Sequence, residues 1–140
     1  MSETLAADLI ITEADAEKIE RALEAMVRRA KARCALLINR NDGSEIASQG
    51  FLDTLDTMSL AALAAGAFAS AREIARLIGE PEFSVLFHQG KREHVHVNLA
   101  GAHGLLLTLF DDRTTVGLVR LYARQTCDEI ERVLGRSARQ

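Results

Sequence analysis

The segment that most constrains the fold is TMSLAALAAGAFASAREIARLIGEP, Thr57 to Pro81. It reads as one long helix closed by Gly79, with Pro81 just beyond. At helical spacing Leu60, Leu63, Ala64, Ala67, Ala71, Ile74 and Ile78 form an apolar stripe, the face a sheet is expected to cover. A second arc, Ala61, Ala65 and Phe68 leading to Arg72 and Arg76, is apolar and small-sided over its first half. A domain of this size should leave that side wet, so the arc needs a cover, either another helix of the chain or, in preference, a partner.

The rest of the chain fits around that helix as one domain of 140 residues. From Thr12 onward, Ile19, Leu23, Met26, Val27 and Ala30 recur at helical spacing. Arg28, Arg29, Lys31 and Arg33 follow late, where cations complement a helix dipole. The runs CALLIN and SEIASQG flank Asn41-Asp42-Gly43 and predict a hairpin. Beyond Pro81 three strands are expected, Phe83 to His88, His94 to Leu99 and Leu105 to Phe110, joined by turns short enough to require antiparallel neighbours. A terminal helix follows Asp112, Thr114 and Thr115 and carries Val116, Val119, Ala123, Cys127, Ile130 and Leu134. The fold class is α+β, with element order α-β-β-α-β-β-β-α and both sheet faces needing cover.

Composition removes several function classes. Lys and Arg number 17 against 20 Asp and Glu, a net charge of -3 without the basic excess that nucleic acid or anionic lipid demands. Trp is absent and Tyr occurs once, leaving little for base stacking. Cys34 and Cys127 form no C-x-x-C pair, and a reduced compartment suits them. The acidic N-terminus is unlike a secretory leader, and the low-charge stretch Met58 to Ala71 is shorter than the ~20 residues of a membrane span. The expectation is a cytoplasmic protein with no membrane span.

No catalytic constellation stands out. Gly90-Lys91 is followed by Arg92, with Val85 where a P-loop would begin, and Gly101-Ala102-His103-Gly104 reads as a turn. His94 and His96 share one strand face, and His88 could face His94 in one register, yet no fourth ligand stands at a suitable spacing. A structural role for these rings is expected, and no metal. There is no G-x-S-x-G elbow, both cysteines sit among core-type neighbours, and Asp111-Asp112 and Asp53 with Asp56 suit a helix entrance and a polar link. The expectation is a protein that is not an enzyme and needs no cofactor.

Three stretches, ALLINRNDGSEIAS, DTMSLAALAAGAFASAREIARLIGEPEFSVLFHQG and LFDDRTTVGLVRLYARQ, together with the element order, resemble the Roadblock / dynein light chain family, particularly its bacterial MglB-like members. The resemblance implies a five-stranded antiparallel sheet with the first and third helices on one face and the second on the other. It implies a dimer, homodimer or heterodimer, in which sheets join edge to edge and second helices pair. The contact would fall on Ala61, Ala65, Phe68 and Ala69 of the second helix and on Phe83, Val85 and Phe87 of an edge strand. It further implies a non-enzymatic platform for a small Ras-like GTPase, bound through Thr57, Ser59, Ala61, Ala65, Phe68 and Arg72. An arginine finger from Arg72, Arg76 or Arg113 is not implied. The alternative is a dimeric scaffold of the same fold with no GTPase partner. The domain is drawn at residues 12–134, with an N-terminal extension, 1–11, and a C-terminal tail, 135–140.

Overall fold

The computed structural model describes residues 3–6 and 9–138, so parts of the extension and tail, residues 1, 2, 7, 8, 139 and 140, lie outside the described residues. Two short strands absent from the sequence reading, β1 (Glu3–Ala6) and β2 (Leu9–Thr12), pair antiparallel ahead of α1 (Glu13–Ala30). Ile11 of β2 is buried and packs with Ile19 and Leu23 of α1. Thr12 then caps α1, its hydroxyl oxygen accepting the Asp15 N–H at 3.1 Å. Glu13 and Asp15 occupy the first turn and Arg28 and Arg29 the last, each sign matching its end of the dipole. Lys31 closes the helix at φ 57°, while the Ala32 N–H reaches back to the Val27 carbonyl at 3.0 Å. Arg33, grouped by sequence with the basic last turn, lies past the helix and pairs with Glu93 at 2.8 Å.

The hairpin around Asn41-Asp42-Gly43 forms between β3 (Cys34–Asn39) and β4 (Glu45–Gly50). Asn39 fixes its turn: the backbone carbonyl accepts from Gly43 N–H and the side-chain oxygen from Asn41 N–H, both at 2.8 Å. Next come α2 (Thr57–Leu77), β5 (Val85–Gln89), β6 (Glu93–Ala100), β7 (Gly104–Asp111) and α3 (Val116–Ala138), which continues past Leu134. Gly79, at φ 84°, follows α2 as a left-handed stop, its N–H bonded to the Arg76 carbonyl and that of Glu80 to the Ala75 carbonyl.

The five longer strands form one antiparallel sheet in the order β4-β3-β7-β6-β5. β3 is buried throughout and β7 nearly so, which explains their near-continuous apolar sequences: central strands covered on both sides have no polar face. Ala35, Leu37 and Leu106 pack with α1 and α3, whereas Leu36, Ile38, Leu105 and Leu107 pack with α2. The expected three layers, one helix on one face and two on the other, are therefore present. Cys34 and Cys127 are free and buried, and burial pushes their thiols up to about 11 and about 12, so both stay protonated at neutral pH.

Candidate partner-binding face

α2 begins at a tightly built cap. Asp56 accepts the Ser59 N–H at 3.1 Å and the Ser59 hydroxyl at 2.6 Å, and these two bonds hold its carboxyl below the ordinary carboxylate range. Ser59, expected on the partner surface, thus has its hydroxyl committed to the cap. Thr57, beside it, is half-buried.

The structure redraws the two faces expected from helical spacing. Ala61 is fully buried and Phe68 only 2% exposed, both packed in the core with Leu36, Ile38 and Leu107, so neither is offered to a partner by this chain. Ala65 is half-buried beside them, and Ala69 and Arg72 are exposed. The small residues serve close approach within the chain. A Cβ placed on Gly43, in the β3–β4 turn, would stand only 3.2 Å from the Ala62 Cα and 3.6 Å from the Ala65 Cβ. Phe68 fills the space this approach leaves toward the sheet, with the Arg40 guanidinium 5.8 Å from its ring centroid. Arg40 also pairs with Glu82, and its pKa is lowered first by burial and then by the neighbouring positive charge of Arg72.

The outward side of α2 instead carries the large apolar residues. Leu63 is 73% exposed, Ile74 55% and Leu77 78%, and Met58 and Ile78 are exposed as well. Helical spacing groups Leu63 and Ile74 with Leu60, Ala64 and Ala71 in one buried stripe; only the last three turn toward the core. Beside the exposed stripe runs an apolar groove of about 240 Å³, walled by Leu60, Leu63, Ala64 and Ala67 of α2 and by Leu86, His88, Val95, Val97 and Leu107 of the sheet. It lies where α2, packed mainly over β3 and β4, stops short of the β5 edge, so that Val97 of β6 is still covered while Leu86 is only half-buried and His88 is exposed.

β5 is an edge strand and pairs with β6. Phe83 precedes it, half-buried. Val85 and Phe87 stand opposite Asn98 and His96 and belong to the α3 side, whereas Leu86 and His88 face the α2 groove. This register separates the histidines. His88 pairs with Val95 and lines the groove, while His94 and His96 point to the other face, so the three rings do not converge. His94 is fixed locally: its Nδ1 accepts from the Gly90 N–H at 3.2 Å and its Nε2 lies 2.8 Å from Asp112. Among the described residues no group of three metal-ligating side chains assembles. No described helix is long and apolar enough to cross a membrane.

Of the arginines weighed as fingers, Arg76 is paired with Glu73 at 2.8 Å and Arg113 with Asp111 at 3.0 Å. Arg113 in turn holds the Asp111 carboxyl below its usual range. Arg72 is exposed and forms no ion pair among the described residues.

Residues 18–110 match the family described as Roadblock/LC7 domain. Among solved structures, one described as MglB with tetrameric arrangement is similar at TM-score 0.87 and 32% identity, over 92% of this chain and 96% of that one. Myxococcus xanthus MglB is 35% identical at TM-score 0.81, over 85% of this chain and 96% of its own. The gliding protein MglB of Thermus thermophilus is 33% identical at TM-score 0.86, covering 91% of this chain and 96% of its own. The comparison with curated protein sequences gives no match. The chain belongs to the Roadblock/LC7 family, among its MglB-like members.

Proposed function

We propose that the protein is a non-enzymatic, cytoplasmic bacterial regulator of a small Ras-like GTPase, working as a homodimer. The observation that carries this reading is the exposed apolar stripe of α2 running beside an apolar groove. A single chain gains nothing by exposing Leu63, Ile74, Leu77 and Ile78 along one helix, whereas a contact surface requires such a patch. The likeness to MglB proteins supports the same reading. The second copy joins through α2 and the open β5 edge, and the paired surface presents a platform to the GTPase. Regulation then works by binding one switch conformation more tightly than the other, shifting its population. Arg76 and Arg113 already face Glu73 and Asp111, which favours recognition by shape over a donated arginine.

The test has two parts. Light scattering should give a dimer mass for the native protein and a monomer mass for the double variant Leu63→Glu, Ile74→Glu, with unchanged far-UV circular dichroism. Immobilised protein exposed to native lysate should retain a small GTPase selectively in the arm with a non-hydrolysable GTP analogue or in the arm with GDP. Equal retention in both arms, or none, favours the scaffold reading.

A further inference from the structure

Of the side chains that line the α2 groove, only His88 is titratable; every other is Leu, Ala or Val. His88 is exposed, sits on the open edge strand β5 and stands opposite Val95 of β6, with Leu109 of β7 next in the same row. It has no ion-pair partner among the described residues. Charged groups begin only in the next row of the sheet, where Glu93 and Asp111 stand opposite each other. Both are committed, Glu93 to Arg33 at 2.8 Å and Asp111 to Arg113 at 3.0 Å. Lys91 and Arg92 follow in the β5–β6 turn, and α2 offers the groove no charge, its charged residues starting at Arg72, more than a turn beyond Ala67.

The chain that carries this groove also carries, along the same helix, the apolar stripe of Leu63, Ile74 and Leu77 that could cover it. A two-fold copy brings each surface against its own equivalent, an arrangement that fixed like charges oppose and that a charge-free surface permits. Once covered, His88 passes from water to a wall of Leu, Ala and Val whose nearest carboxylates are already paired. Burial of that kind disfavours the imidazolium, a cation left without a partner, while the neutral ring costs far less to cover.

We infer that assembly of two copies is proton-linked through His88: the dimer forms with the ring neutral and weakens as the ring becomes charged. The inference rests on the homodimer reading above, with the second copy seated on the α2 groove. A histidine in water titrates near ~6.5, so below that pH the separated chains take up protons that the covered groove refuses, and the equilibrium moves toward them. From about pH 7.5 to about pH 5.5 each groove loses about tenfold in affinity, and a two-fold dimer has two grooves. The association constant of the full chain, measured by sedimentation equilibrium, should therefore fall between about tenfold and about 100-fold over that range. In His88→Gln, uncharged at both values, it should change by less than about threefold. His96 is present in both proteins, so its own titration cancels in the comparison. A dimer whose affinity ignores pH, or a fall that His88→Gln shares, would overturn the proton link and leave the homodimer reading standing. A monomer at every concentration and at both pH values would remove the homodimer reading and the proton link with it.

Discussion

Lys31 holds a left-handed backbone, φ 57°, at the end of α1, a conformation that costs an L side chain about 1 kcal/mol and glycine almost nothing. Lys31→Gly is therefore expected to stabilise the protein by about 0.5–1 kcal/mol, read from the urea midpoint. His96 makes a sharper residue-scale prediction. Burial first, and the charge of Arg120 second, lower its pKa in the folded state; the neighbouring Asn98 opposes both without reversing them. An unfolded histidine titrates near ~6.5, so on acidification the unfolded chain takes up the proton before the native one does. Stability should fall as the pH drops below that value, until the folded-state pKa is passed. In His96→Leu this contribution is gone. The variant should gain stability relative to the native protein between pH 7 and pH 5, measured by urea unfolding at both.

At the scale of the element, α2 shows where sequence reading succeeds and where it loses information. Its C-terminal end was legible because Gly79 and Pro81 act through local backbone chemistry, whereas Asp56, read as part of a polar link, and Ser59, read as partner surface, turn out to build the N-terminal cap. Its rotation was not, because a helix apolar nearly all round has no unique wet side; helical spacing grouped Leu63 and Ile74 with the core, while the sheet took Ala61 and Phe68. The histidines depended on the same kind of unknown: with strand period two, the observed register sends His88 to one face and His94 and His96 to the other. β1 and β2 left only the brief run Leu9-Ile10-Ile11 as a sign, too short to distinguish from an extension. The corrected faces are testable side by side. Phe68→Ala should cost about 3–5 kcal/mol, whereas Ile74→Ala should change the stability of the separated chain by no more than about 0.5 kcal/mol. Chemical denaturation at high dilution measures both.

For the whole molecule, the order of elements along the chain and the family were legible because strand runs, turns and helix caps agreed with one another along most of the chain. The proposed homodimer adds a property no single chain has. Its unfolding midpoint should rise with protein concentration, and the midpoint of the Leu63→Glu, Ile74→Glu variant should not.

The position of β7 also bears on how the chain reaches this state. β3 and β4 form one hairpin, and β5, β6 and β7 form a meander; the β3–β7 ladder joins the two into one sheet. That ladder brings together strands separated by β4, α2, β5 and β6, so its loop-closure entropy is met late, after the local hairpins have formed. During synthesis the core cannot close until β7 has left the ribosome, and until then the apolar runs of β3 stay without their central neighbour. The connection from Leu77 to Val85 lies between the two halves, making it the natural place to cut the chain for circular permutation: each local hairpin would survive, and the central ladder would still be the last to zip.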